Sequence, residues 1–194
     1  MVRKPGVRKY RDIRVGIVCA QAFQRLAEPF IARIAEGMPE GTVRASGELG
    51  DLVACATNLA FALELYIKTL LVQVDSAVPE GPRGHDQALL YNAIPQDVRI
   101  RIEARYKEAW RANWYGRRAS ITIAKGPPDL PVWNDYEAES KQLSELLRRS
   151  GDLFQSWRYI YEFIEPVDTT YQLHRFEYGL LLCACQAIEA SISK

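Results

Sequence analysis

The chain has 194 residues and a mass of 22.1 kDa, which predicts one domain over residues 1–194. Hydrophobic residues make up 48% of the chain and charged residues 25%, a composition that excludes disorder for the bulk of it. The net charge of +1 hides two basic segments, residues 1–14 and 97–125, each with a local charge of +5 on a body that carries −9. Such segments suit a polyanionic partner, but a solvated surface is the favoured interpretation because charged faces are common on ordinary proteins.

The N-terminal part of the chain predicts two helices. After a basic extension over about residues 1–9, the apolar spacing indicates a helix from Tyr10 to Ala27. Pro29 then ends this helix or starts a short turn that runs to Glu36, because proline lacks the backbone N–H that a continuing helix needs. A longer apolar pattern with the same period predicts a central helix from Leu52 to Val74.

The central helix is the most apolar stretch of the chain, but it contains charges. Glu64 and Lys68 form an i,i+4 pair in the favourable order. Since each charge near the centre of a bilayer costs about 2.5–3.5 kcal/mol, we expect no membrane span.

The middle of the chain predicts two further helices. A turn from Pro79 to Gly84 leads into a short helix from His85 to Ala93, and Pro95 favours a new helix from Gln96. Residues 98–102 alternate as a strand does, but their apolar positions continue at helical spacing into Trp110, which favours a helix.

A long irregular loop is predicted over about residues 114–135, where glycine and proline are frequent. Within it, residues 121–123 either form a very short strand or pin the loop to the helices. Asn134 and Glu137 resemble a capping box that opens a helix through Leu143 to Tyr161, and Thr169 and Gln172 resemble a second box that opens a last helix through Leu173 to Ile188. We therefore predict an all-α fold, a bundle of five or six helices.

The cysteines and histidines exclude several kinds of site. All four cysteines lie in apolar, helix-like windows, where a free thiol behaves as a small hydrophobe, and their spacing fits neither a disulfide framework nor a zinc site. This favours a reducing compartment, and we expect a cytoplasmic protein. With two histidines a His-rich metal site is excluded, and the glycine patterns of phosphate-binding and dinucleotide-binding loops are absent. We predict no metal and no cofactor.

Three segments in a fixed order carry a family resemblance: residues 62–68 on the central helix, residues 84–91 with Ile94 and Pro95 behind them, and residues 156–162 on the penultimate helix. Together they resemble a HEPN domain, the helical-bundle family of toxin–antitoxin, abortive-infection and other RNA-linked stress systems. The resemblance covers a core of about residues 49–192. The residues that carry it are Glu64, Lys68, His85, Asp86, Tyr91, Trp157 and Tyr161.

The resemblance implies a ribonuclease ancestry, but the Arg-x4–6-His signature of the family is missing. Counted from Arg158, the positions for that histidine hold Phe163, Ile164 and Glu165. Losing the histidine removes the group that would exchange a proton during cleavage. The leading hypothesis is therefore a non-catalytic or degenerate HEPN-like protein that binds RNA or a protein partner in a stress or defence system.

Two alternatives remain open. One is a ribonuclease that uses a different set of catalytic residues, namely Arg158, Glu162 and His174. The other is a purely structural interaction module. Because HEPN-like domains generally pair and the bundle has more apolar helix face than one small core needs, we also predict a homodimer.

The predicted RNA-binding surface interleaves aromatic and basic side chains. Aromatic faces stack on unpaired bases, while guanidinium and ammonium groups meet phosphates. An anchoring role of the tryptophans on the bundle is the alternative. The predicted RNA-binding residues are Arg111, Trp114, Arg117, Arg118 and Lys125.

Overall fold

The computed structural model describes residues 12–35, 47–79, 84–112, 121–125, 141–150 and 172–192. Its helices are α1 (Ile13–Ala35), α2 (Gly47–Gln73), α3 (Gln87–Asn92), α4 (Gln96–Ala112), α5 (Leu143–Ser150) and α6 (Tyr178–Glu189), and its strands are β1 (Ile121–Lys125) and β2 (Gln172–Phe176). The predicted all-α class is confirmed, with six helices in the described part of the chain and one short two-stranded ribbon.

Helix α2 is the centre of the bundle. It packs against α1 and α6, while α4 packs on α6 and α3 lies between α2 and α5. Leu59, Ala60, Ala62 and Leu71 of α2 are completely buried and lie on different sides of the helix, so the helix contacts neighbours on most of its sides, as the predicted central helix requires. Residues Gly50–Gln73 are long and apolar enough to cross a membrane, and 67% of their most apolar window is buried inside this bundle.

Helix α1 differs from its prediction, because it runs through Pro29 to Ala35 as one helix. A proline inside a helix costs one backbone hydrogen bond and some steric strain, about 3 kcal/mol. Ala27 and Ile31, on either side of Pro29, are buried in the core, and the Cys55 thiol of α2 donates a hydrogen bond to the Ala27 carbonyl at 3.3 Å. Packing against α2 offsets the cost, so the predicted end of the helix at Ala27 is wrong.

The region after α2 follows the prediction closely. Gly84 and His85 form a single 3₁₀ turn, and α3 then begins at Gln87 rather than at His85. Helix α4 begins at Gln96 as predicted, and residues 98–102 are helical.

The predicted start of the last helix is wrong. Residues 172–176 form β2, which pairs antiparallel with β1 so that Ile123 lies opposite His174 and Lys125 opposite Gln172. Pairing with β1 satisfies the backbone N–H and C=O groups of this segment, which overrides its local preference. Helix α6 begins only at Tyr178.

Helix α5 begins at Leu143, and the two residues before it are not helical. A helix that starts at Asn134 and runs on without a break is therefore wrong. Its N-terminus is capped from another helix, because the Glu103 carboxylate of α4 accepts hydrogen bonds from the backbone N–H groups of Leu143 and Ser144, both at 2.9 Å. The capping box at Asn134 itself and the predicted continuation to Tyr161 lie outside the described residues.

Candidate functional site

A buried carboxylate on α2 organises the candidate site. The Glu64 side chain is 2% exposed, and its Oε1 atom lies 2.6 Å from Lys68 Nζ, one helical turn further on. Burying a carboxylate is costly unless the charge is paired and hydrogen-bonded. The predicted i,i+4 pair is thus present, and its acidic member lies in the interior rather than on a solvated face.

His85 adds a second partner to the same carboxylate. Its Nδ1 atom lies 3.1 Å from Glu64 Oε1 and 3.2 Å from Oε2. The 3₁₀ turn before α3 places the imidazole there, and Gln87 fixes the turn by donating a hydrogen bond from Nε2 to the Ala60 carbonyl of α2 at 2.9 Å. We call Glu64, Lys68 and His85 the Glu64 cluster.

The Glu64 cluster runs from the protein interior to its surface. The Lys68 side chain is 27% exposed and that of His85 is 41% exposed, against 2% for Glu64. An ionised carboxylate only accepts hydrogen bonds, so the proton of the imidazole is assigned to Nδ1 when Glu64 is charged. The carboxylate therefore holds an ammonium group and an imidazole ring in place at the surface.

A cavity of about 620 Å³ adjoins the Glu64 cluster. It lies between α1, the C-terminal half of α2 and the segment that follows α2. Lys68 and His85 belong to its wall, and so do polar and apolar side chains of all three elements. The described lining residues are Asp12, Ile13, Val15, Gly16, Cys19, Leu65, Lys68, Thr69, Val72, Val78, Pro79, Gly84 and His85.

Two other residues of the family resemblance have structural roles. Asp86 caps α3, since its Oδ1 atom accepts a hydrogen bond from the Leu89 N–H at 2.9 Å. Tyr91 is buried, and its hydroxyl lies 3.4 Å from both the Glu103 carboxylate and the Arg99 carbonyl. Burial, followed by the charge of Glu103, raises the pKa of Tyr91 above its usual range. Trp157 and Tyr161 lie outside the described residues.

The predicted catalytic and RNA-binding sets are described only in part. His174 lies on β2, opposite Ile123, and Lys125 is the last residue of β1. Arg111 is exposed in the last turn of α4. The remaining members of the two sets lie outside the described residues: Arg158, Glu162, Trp114, Arg117 and Arg118.

Several cations of the basic segment 97–125 already have partners within the fold. Arg101 forms an exposed ion pair with Asp97 at 3.0 Å, and Arg99 donates to the Asn92 side chain at 3.2 Å. Arg105 binds the C-terminal end of α6 through the Ala190 carbonyl and the Ser191 hydroxyl. On α4, these contacts fit the interpretation of a charged face held by the protein itself.

The cavity side of the site was not predicted from the sequence patterns. Thr69 and Gly16 line the cavity from α2 and α1, and the helical spacing of Leu65, Lys68, Thr69 and Val72 was the available signal for one shared face. Among the described residues, no group of three or more His, Cys, Asp or Glu side chains lies close enough to hold a metal ion.

Comparisons with known proteins give no relative for this arrangement. No family model, no curated protein and no solved structure matches the chain. The likeness to HEPN domains therefore rests on the sequence motifs alone.

Proposed function

We propose that this protein is a non-catalytic, HEPN-like helical bundle that binds single-stranded RNA through the Glu64 cluster, within a stress or defence system. One observation carries the proposal: two of the three motif segments of the family resemblance meet in space, because Glu64 contacts both Lys68 and His85 at the edge of a cavity. Motif residues that only stabilised their own helices would not be expected to contact one another at the edge of a cavity.

The chemistry of the Glu64 cluster suits a phosphate group. A protonated ammonium or imidazole group donates hydrogen bonds to phosphate oxygens. Because the Glu64 carboxylate already holds both side chains in place, they lose less conformational entropy when a phosphate binds. The missing Arg-x4–6-His signature supports binding without cleavage. The buried core of a protein interface is depleted of charged residues, so the charged edge of this cavity suits a phosphate group better than a protein ligand.

The experiment is fluorescence anisotropy of a labelled single-stranded RNA with matched charge variants. We expect Lys68→Gln to weaken binding about tenfold, the loss of roughly 1.4 kcal/mol for a charge-assisted hydrogen bond. Lys141→Gln, which removes an exposed lysine outside the two basic segments, should leave the Kd unchanged. Equal effects of the two variants, or no RNA binding by the unmodified protein, would contradict the proposal, and the latter result would favour a protein partner.

His85→Asn separates binding from stability. The asparagine amide retains a donor in the position of Nδ1, so the contact to Glu64 persists, while the outer part of the ring is removed. We expect the melting temperature to stay close to that of the unmodified protein and the RNA affinity to fall. A variant that loses stability but keeps its RNA affinity would show that the Glu64 cluster only holds α3 on α2.

A ribonuclease is the second candidate, and the contact between Glu64 and His85 Nδ1 favours it. A carboxylate that accepts the Nδ1 proton orients an imidazole for acid–base work, and Lys68 would neutralise charge on a phosphorane-like transition state. Gel analysis of RNA incubated with the protein tests this. Cleavage that disappears in His85→Asn would replace the binding proposal by the enzymatic one.

We also propose a homodimer that pairs through α1. Val15, Val18 and Leu26 are exposed on one side of α1, and Arg14 at its start and Glu28 in its second half are exposed as well. Antiparallel pairing of two copies about a two-fold axis would cover the apolar side chains and bring opposite charges together. Light scattering should give the mass of a dimer, and Val18→Lys should give a monomer of unchanged helical content.

A further inference from the structure

Thr69 is a mostly buried residue of the cavity wall, and its hydroxyl has no partner in the described part of the chain. Its residue is 6% exposed, its side chain lines the cavity, and none of the described side chains or carbonyl groups forms a hydrogen bond with its hydroxyl. A hydroxyl that faces a cavity is thus suited to a molecule that enters the cavity and carries an acceptor.

Gly16 keeps this hydroxyl accessible. A Cβ atom built on Gly16 would lie 2.3 Å from Thr69 Oγ1, so any larger residue of α1 at this position would push the Thr69 side chain away. Lys68, the neighbour of Thr69 on α2, belongs to the same wall. An ammonium and a hydroxyl on successive residues therefore face one space, with Glu64 holding the ammonium from behind.

The rest of the wall is mostly aliphatic. Ile13, Val72, Val78 and Pro79 contribute apolar surface from three elements, and the volume of about 620 Å³ lies in the usual range of small-molecule pockets. A flat ring with apolar faces, such as a nucleobase, can pack against these aliphatic side chains. Together, the polar and apolar parts match a molecule with a heterocycle at one end and an anionic group at the other.

We propose that the cavity binds one nucleotide unit joined by a phosphodiester, with the phosphate against Lys68 and Thr69 and the base against the aliphatic wall. This inference rests on the proposed RNA-binding function and names the unit that the cavity receives. Asp12 also lines the cavity, where its carboxylate accepts the N–H groups of Arg14 and Val15 at the start of α1. Its charge disfavours a doubly charged phosphate monoester more than a singly charged diester.

Cys19 provides a direct readout of occupancy. It is exposed and lines the cavity, whereas Cys55, Cys183 and Cys185 are buried. Burial raises the pKa of Cys55 to about 12, and a thiol that stays protonated reacts slowly. A thiol reagent such as DTNB therefore reports on the cavity wall at Cys19 in the folded protein, and Val18→Lys is used as the background so that pairing through α1 does not cover the thiol.

The experiment measures the rate of Cys19 modification with a 5′-hydroxyl dinucleoside monophosphate, a nucleoside monophosphate or inorganic phosphate at millimolar concentration. We expect the dinucleotide to protect Cys19 strongly, the mononucleotide to protect it less and inorganic phosphate not to protect it. Protection by the mononucleotide alone would assign the cavity to free nucleotides and overturn the phosphodiester inference. A modification rate that no probe changes would overturn the site altogether.

Thr69→Val tests the hydroxyl without changing the shape of the side chain. We expect the dinucleotide to bind about three- to tenfold more weakly, the usual effect of one neutral hydrogen bond, with unchanged thermal stability. Thr57→Val is the matched control on α2, because the Thr57 hydroxyl is already bonded to the Val53 carbonyl at 2.9 Å. Equal affinities of Thr69→Val and the unmodified protein would remove the hydroxyl from the site.

The two proposals fail in different ways. RNA binding that depends on Lys68 while Cys19 stays unprotected would leave the proposed function standing and place the RNA elsewhere on the Glu64 cluster. Absence of RNA binding together with absence of protection would reject both.

Discussion

Gly16 lies on α1 directly against Thr69 of α2. A Cβ atom at this position would meet Thr69 Oγ1 at 2.3 Å, closer than packed atoms approach, and Cγ2 at 3.2 Å, a tight contact. We expect Gly16→Ala to lower the free energy of unfolding by about 1–3 kcal/mol, the usual cost of overpacking a helix interface. Urea denaturation followed by circular dichroism measures the change.

Gly50 on α2 is the matched control for this substitution. It is exposed, and a Cβ atom built on it would have no neighbour within 4 Å. Gly50→Ala should therefore raise the free energy of unfolding by about 0.5–1 kcal/mol, since alanine is the better helix former. If both substitutions changed the stability by the same amount and sign, close packing at Gly16 would not be the cause.

At the scale of elements, Glu103 connects α4 to the start of α5. Its carboxylate accepts the N–H groups of Leu143 and Ser144, two of the donors that a helix start leaves unsatisfied. We expect Glu103→Ala to cost about 1–2 kcal/mol of stability, as the loss of a helix cap does. Hydrogen exchange should accelerate first at the N–H groups of α5, and Glu108→Ala, which changes an exposed carboxylate of α4, should leave them protected.

The predicted RNA-binding residues Trp114, Arg117 and Arg118 imply a separate effect of salt on RNA affinity. Each phosphate that the protein neutralises contributes a log–log slope of about −0.7 for single strands. If Arg117 and Arg118 meet phosphates, replacing both by alanine should reduce the slope, while Trp114→Ala should cost about 1–3 kcal/mol of affinity for a lost stack with little change in slope. Titrations at several salt concentrations separate these effects. An unchanged slope in the double arginine variant would reject this segment as an RNA contact.

At the scale of the whole molecule, the buried tyrosines and thiols link stability to alkaline pH. Burial is the first cause that raises the pKa of Tyr66, Tyr106 and Tyr178, and of Cys55 and Cys185, above their usual values. In the unfolded chain these groups lose their protons from about pH 9 upward, whereas the folded protein retains them. The native state is therefore favoured below that range and disfavoured above it.

We expect the free energy of unfolding to fall as the pH rises above about 9, by up to about 1.4 kcal/mol per pH unit for each group that ionises on unfolding. Denaturation curves between pH 7 and pH 11 measure the slope. Tyr178→Phe should make the slope shallower, although it also removes the hydrogen bond from the Tyr178 hydroxyl to the Leu52 carbonyl. Stability that stays constant up to pH 11 would contradict the prediction.

Periodicity was sufficient for the helices that carry most of the core. The spacing of apolar residues predicted α2 and α4 because a helix buries whichever side its hydrophobic residues occupy. The first residue of α4 also followed from the sequence, since proline before Gln96 favours a helix start.

Local signals failed where the stabilising partner is distant in the chain. Residues 172–176 are a strand because β1 pairs with them, and α5 begins where Glu103 caps it.

For the candidate site, the sequence by itself determined that Glu64 and Lys68 share one side of a helix, because residues four apart always do. Only the tertiary structure decided that Glu64 is buried, that His85 joins it and that Gly16 and Thr69 meet across a cavity. Burial and contact between segments depend on how the helices pack, and no local pattern specifies that packing. The residue types therefore determine the chemistry of the site, whereas the packing of the helices determines its geometry.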